Sequence, residues 1–469
     1  MGADTMDEAA RALSRFGLGG TADQDRPANP GGWLESQFKL YQPRPSALAA
    51  APGTAAMIEL LRDARDDRRE RKGQNQADSP QMQEKDDNLP GPFRPLRDAY
   101  VEAAGLRTSA ALSSAAPFIE RLVHFWSNHF AVSIDKAAVL GLAGPFEFEA
   151  IRPHVLGSFT DLLSAAERHP AMLLYLDQAE SIGPDSPLGS RTARRGKQRG
   201  LNENLAREIL ELHTLGVRTG YSQEDVTEFA RALTGWTVGG LAKQAALRGP
   251  GPQFWFAAPI HQPGARTIMG KRYPQSGEAQ ARAVLSDLAV HPATARHIAT
   301  KLARHFAADD PPPALVAKLE RTFLATKGDL LALYHVLIEA PEVWSGAAKF
   351  RNPWDWTLAA LRACGIKSVP GKSAATTLQQ LGQAIWKPGS PAGYDDTAPG
   401  WAGPDALVRR VEVAQRLAQR MGGAIDARAL APRLLGGALS DTTVQALQRA
   451  ESGEQALALL LSSPEMMRR

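Results

Sequence analysis

Residues 200–220, GLNENLAREILELHTLGVRTG, combine one apolar helical face with a dense run of ionisable side chains. Leu201, Leu205, Ile209 and Leu212 recur at helical spacing and predict an amphipathic helix. At about 100° per residue, Glu203, Arg207, Glu211 and Thr214 fall on the opposite side, whereas Asn202 and His213 share the arc of Ala206 and Ile209. Glu208 lands between Leu212 and Leu215. A carboxylate on the inward edge of a helix must be paired, hydrogen-bonded or protonated, because burying it bare costs on the order of several kcal/mol. The helix is therefore expected to deliver Asn202, Glu208 and His213 into the interior, as a reactive site or as a polar network that fixes packing. Glu203, Arg207 and Glu211 also fit an ordinary salt-bridged, solvated face.

Working outward from this helix, residues 217–225, VRTGYSQED, form a turn in which Ser222 and Asp225 are spaced as a capping box. The helix that follows runs to Leu233 and stops at Gly235, so the two helices should pair antiparallel and return Arg231 and Trp236 towards the start of the first. Upstream, residues 182–200 carry Arg191, Arg194, Arg195, Lys197 and Arg199 among glycines and prolines, which predicts a basic loop, either solvated or guiding an anionic ligand. PFIERLVHFWSNHF, residues 117–130, predicts a helix with Ile119, Leu122, Val123, Trp126 and Phe130 on one face. His129 falls on its apolar side, and His124 and Asn128 point the other way. Asp177 closes the buried run AMLLYLD.

Residues 252–273 switch to strand-like aromatics and proline turns and predict a small β-hairpin carrying His261. Residues 291–306, HPATARHIATKLARHF, return to helix with Ala295, Ile298, Leu302 and Phe306 inward. The spacing of His291, His297 and His305 does not bring two rings onto one ion, and no HExxH occurs, which excludes a zinc helix of that type. Residues 381–403 keep Trp386, Tyr394 and Trp401 among prolines and predict an ordered loop that packs over the core or lines a cleft. Residues 71–92 lose apolar periodicity and predict a mobile loop.

The chain has 469 residues, enough for a large core, and its 54 Lys and Arg against 50 Asp and Glu leave a net charge of only +4. No aromatic-interleaved basic patch demands a nucleic acid. One cysteine, Cys364, excludes an internal disulfide and a multi-cysteine metal site. No apolar run reaches the roughly 20 residues of a membrane span, and no leader is evident, so a cytoplasmic location is expected. The fold class is mainly α: a single large multi-helix orthogonal bundle over residues 1–469, with a small β-hairpin insertion and long ordered loops.

FWSNHF at 125–130, AMLLYLD at 171–177, NENLAREILELHTLGV at 202–217, GYSQEDV with ARALTGW, and HPATARHIATKLARHF resemble the bacterial domain of unknown function 1800 family. So do the opening ARALSRFGLGG and the closing SSPEMMRR. The resemblance spans nearly the whole chain. It implies a large, mainly helical bacterial protein whose gene accompanies a second family, domain of unknown function 1501, and hence a partner of that family and periplasmic co-export.

From the residues, the leading expectation is an acid–base hydrolase or transferase acting on a saccharide-like polar substrate. Its catalytic candidates are Glu208, His213 and His129, with Glu203 or Glu211 as a second carboxylate. Asn202, Asn204, Arg207, Arg231, Trp236, His261, Trp126 and Asp177 are candidates for holding substrate. A divalent metal on His129, Glu208, His213 and His261 is the alternative, for a hydrolase or oxidase. A non-catalytic scaffold or escort for an exported partner is the third reading.

Overall fold

In the computed structural model, residues 7–23, 26–75, 91–194, 200–242 and 245–469 are described. Most of the loop expected at 71–92, and Arg195, Lys197 and Arg199 of the basic loop, lie outside them. The described chain is mainly helical, with two small antiparallel two-stranded sheets. No helix among the described residues is long and apolar enough to cross a membrane.

The largest core gathers aromatic rings from segments distant in sequence. Phe16 packs edge-on to Phe118 at 5.6 Å and lies 4.8 Å from Trp344, while Trp126 lies 5.7 Å from Phe159. Trp126 donates its indole N–H to the Tyr334 hydroxyl at 2.7 Å, so the ring with the largest apolar surface also has its polar atom satisfied. A second apolar cluster joins Trp356 and buried Cys364 to Leu417, Leu430, Leu457 and Leu460 of the C-terminal helices.

Two helices cross where neither has a side chain. Gly105 of Arg94–Ser113 meets Gly371, the first residue of Gly371–Gln380, and a Cβ on Gly371 would stand 1.9 Å from the Val101 carbonyl oxygen. The C-terminal end is tied back as strand-like backbone: Lys349 and Arg469 exchange both N–H to carbonyl bonds at 2.8 Å. This buries the Arg469 side chain.

The predicted hairpin is only partly what forms. Within residues 252–273, β3 (Arg266–Ile268) and β4 (Lys271–Tyr273) pair as a hairpin. The aromatic segment β2 (Phe254–Phe256) instead pairs with β1 (Trp236–Val238), which follows the helix Gln223–Leu233. Trp236 is fully buried, and its apolar area is better covered by the core behind β1 than a free-standing hairpin would cover it.

Candidate functional site

The central stretch folds as two short pieces. Asn204–Glu208 is α-helical, and Ile209–His213 continues as a π-helical turn. A wider turn breaks the i to i−4 ladder and frees carbonyls, a feature that concentrates at functional sites. Here the Leu212 carbonyl accepts from His297 Nε2 at 3.1 Å and the His213 carbonyl accepts from His129 Nε2 at 3.1 Å.

Both imidazoles line a cavity of about 340 Å³. Its walls come mainly from the helix Pro117–His129, the helix Pro292–Phe306, the start of the helix Pro353–Ala363 and the aromatic loop 383–397, with Arg107 and Leu212 adding to them. The first helix supplies His124, Ser127, Asn128 and His129. The second supplies His297, Lys301, Arg304 and His305, one helical stripe at i, i+4 and i+7/i+8. Asn352, Trp354 and Asp355 come from the third, and Trp386, Tyr394 and Asp396 from the loop.

The loop is fastened to the first helix by side chain to backbone bonds. Asn128 donates to the Tyr394 carbonyl at 2.9 Å and accepts from the Tyr394 N–H at 2.7 Å. Gly393 has φ +83°, and a Cβ there would meet the Asn128 carbonyl oxygen at 2.3 Å, so only glycine permits the approach. Behind the loop, fully buried Glu147 accepts from Arg107 at 2.8 Å, Ser127 at 2.8 Å and Trp386 at 3.0 Å. This network orders the wall and leaves Glu147 no free role.

The partners fix the proton positions. A carbonyl can only accept, so His129 carries its proton on Nε2, and its buried Nδ1 is a lone pair with no partner among the described residues. An indole N–H can only donate, so His124 Nδ1 accepts from Trp354 at 3.0 Å and Nε2–H is left without a partner among the described residues. His305 Nδ1 lies 2.8 Å from Asp396 Oδ2, and its buried Nε2 is unpartnered among the described residues.

Burial dominates the titration of these rings. It pushes His305 and His297 down to about 4, with Asp396 opposing in the first case and Lys301 adding in the second. Burial also holds His124 and His129 well below the usual histidine range. All four imidazoles are thus neutral at pH 7. Desolvation opposes ionisation of Asp396, but His305, Lys349 and Arg469 outweigh it and hold its carboxyl well below the ordinary carboxylate range. Burial pulls Lys301 down to about 8 against the opposing pull of Asp396. No acid is ion-paired with Lys301 among the described residues.

The charges around Asp355 are committed to structure. Arg121 donates to the Gly17 carbonyl at 2.7 Å and to Asp355 at 2.7 Å, and Arg469 reaches the same Asp355 oxygen at 3.1 Å. Arg469 also stands 3.7 Å from Asp396, so one guanidinium serves two of the cavity carboxylates, Asp355 and Asp396.

Of the residues expected from the sequence, His129 alone among the catalytic candidates lines this cavity. His213 is fully buried behind it, with Nδ1 at 2.7 Å from Glu167 Oε1 and its ring 6.1 Å from that of His129. Glu208 is half-buried outside the cavity, its carboxyl raised above the usual value by desolvation. Glu203 accepts from Thr227 at 2.7 Å, Gln223 at 2.8 Å and Arg207 at 3.1 Å, fastening the following helix. Glu211 accepts from the Tyr221 hydroxyl at 3.5 Å.

The binding candidates scatter. Asn202 Oδ1 accepts from exposed Asn204 N–H at 2.9 Å and its amide donates to the Asp177 carbonyl at 3.4 Å, so this pair shapes a turn. Asp177 pairs with Lys136, Arg231 pairs with Glu228, and Trp126 and Trp236 are core residues. His261 Nδ1 donates to the Thr234 carbonyl at 2.7 Å, away from the cavity. The expected metal set is not assembled, since among the described residues no three His, Cys, Asp or Glu side chains converge as an ion site. The physical reason is the antiparallel return of residues 234–261, which ties His261 to Thr234 instead.

Fold and site together define a mainly helical protein with a histidine-lined cavity. A family model described as "Protein of unknown function (DUF1800)" matches residues 11–468, and the chain belongs to that family. No curated protein and no solved structure matches the chain.

Proposed function

We propose that the cavity is the active site of an acid–base enzyme, performing hydrolysis or transfer on a small saccharide-like substrate that bears an anionic group. The observation that carries this reading is His305, whose Nδ1 is held by Asp396 while its buried Nε2 has no partner among the described residues. A carboxylate behind an imidazole fixes its tautomer and stabilises the imidazolium formed when it takes a proton. In the step proposed, a substrate hydroxyl or a water gives its proton to His305 Nε2 as its oxygen bonds to the electrophilic carbon or phosphorus of the substrate, the bond from that atom to the leaving oxygen breaks, and His305 returns the proton to the leaving oxygen. Asp396 stays ionised throughout.

The free Nε2–H of His124 offers a donor to oxygen charge that develops in the step. Lys301 and Arg304 suit the anionic group, and Trp354, Trp386 and Tyr394 give flat faces for a sugar ring. Glucuronate, glucose 6-phosphate and neutral glucose are the first ligands to titrate, followed by turnover screens of uronide, sugar-phosphate and sugar-ester panels. The reading expects the two anions to bind more tightly than glucose and Lys301→Ala to erase the difference. It expects His305→Gln to lower turnover about 10²–10⁴-fold with the fold unchanged by circular dichroism. Turnover unaffected by His305→Gln would remove it. A partner of the 1501 family remains a separate proposal, tested by co-purification.

A further inference from the structure

A second cavity, of about 580 Å³, lies between the helices Pro353–Ala363, Gly371–Gln380 and Pro404–Met421. Its chemistry is unlike that of the first. Trp356, Leu378, Val413 and Leu417 give it a buried apolar floor. Thr357 lines it at 8% exposure, with a buried hydroxyl that has no hydrogen-bond partner among the described residues. A buried hydroxyl left unpaired is costly, so the position asks for a ligand oxygen.

The mouth is cationic. Lys372, Arg416 and Arg420 are exposed there, and among the described residues none is ion-paired with an acid. Arg416 is steered by a bond to Gln380 Oε1, while the Gln380 amide donates to Glu412, one turn before Arg416, at 3.3 Å. Three uncompensated cations over an apolar chamber of drug-ligand size complement a molecule with a charged head and an apolar body.

We propose that this cavity binds an amphiphile with a single anionic head, its alkyl chain over Trp356 and Leu417 and its head at Lys372, Arg416 and Arg420. This stands apart from the acid–base reading of the first cavity. The head oxygen or a polar group next to it accepts from Thr357. Chain length sets affinity through buried methylenes, and the rim sets the sign of charge.

The test is titration of the full chain with sodium laurate below its micelle concentration, by calorimetry and by native mass spectrometry for stoichiometry. One laurate per chain is expected, with affinity rising about fourfold per methylene from octanoate to laurate, as burial of each CH₂ implies. Methyl laurate and dodecyltrimethylammonium should bind at least tenfold more weakly than laurate, and inorganic phosphate alone should not displace it. Arg416→Glu with Arg420→Glu, both exposed, should weaken laurate at least tenfold. Thr376→Trp, at the mouth, should block it by filling space without touching charge. Absent binding, a cationic amphiphile binding as well as laurate, or both variants binding laurate like the parent chain would each overturn the proposal.

Discussion

Acid should unfold this protein through its buried imidazoles, in a pH window set by their surroundings. His297 and His305 are held neutral down to about 4, whereas an unfolded chain leaves a histidine near 6.5. Between those values the unfolded state binds more protons than the folded one, so stability is full above pH 6.5 and falls as pH drops towards 4. At about 1.4 kcal/mol per pH unit, each ring costs about 2 kcal/mol of stability by pH 5 and about 3 kcal/mol by pH 4. His169, pushed down to about 3 by burial, extends the loss to lower pH. The sum is comparable to the whole stability of an ordinary domain, about 5–15 kcal/mol. Urea denaturation followed by circular dichroism at pH 8, 7, 6, 5 and 4.5 measures it. The double variant His297→Gln, His305→Gln should lose about 4 kcal/mol less than the parent between pH 8 and pH 5. An equal loss in parent and variant, or a midpoint that stays flat to pH 5, would refute the burial argument.

Further tests read other parts of the structure. Lys301, pulled down to about 8, should react with acetic anhydride at pH 8 ahead of ordinary surface lysines; peptide mass spectrometry showing it among the slowest would contradict its placement. Arg469→Ala strips one of two guanidiniums from the buried Asp355; because Arg121 still holds that carboxylate, the loss in urea unfolding should stay below the roughly 3–5 kcal/mol of a buried charge left unpaired, and no measurable loss would count against the contact. Gly371→Ala places a methyl against the Val101 backbone carbonyl, which cannot move alone, so destabilisation of about 3 kcal/mol or more is expected and an unchanged urea midpoint would count against the crossing. Asp396→Asn should leave the fold intact and deprive His305 of the charge that raises its affinity for protons; ¹⁵N spectra of the ring would show its protonation moving to lower pH.

The helical class and the inward faces were legible because both depend on local periodicity. Phe130, Trp126, Leu205 and Ile209 are buried, as their spacing requires. The Ser222 and Asp225 capping box forms as the three-residue spacing predicts. The cavity was harder to see, because a helical wheel separates core from non-core but does not say whether the polar side meets water. His124, on the side of its helix away from the apolar stripe, is 9% exposed and faces Trp354 from a segment 230 residues later. His297, Lys301 and His305 form a stripe that a one-helix reading treats as a failed metal motif. Their spacing did contain a signal, a run of cationic and imidazole groups at i, i+4 and i+8, whose meaning waits on what covers it. Asp396 carried no signal at all within its loop.

By itself the sequence determined what each segment could be: which stretches are helices, which side of each is apolar, and that the chain has a large core. The tertiary structure decided which polar groups meet. The Ile209–His213 turn holds the cavity imidazoles of His297 and His129 through the Leu212 and His213 carbonyls, a backbone contribution that no side-chain pattern encodes. Asp396, His305 and Arg469 come together only because the chain's end is paired to Lys349 and the late loop is fastened to Asn128. Side-chain periodicity is a local property of one segment, whereas the pairing of charges and the tautomer of a histidine depend on which distant groups packing places within about 3 Å.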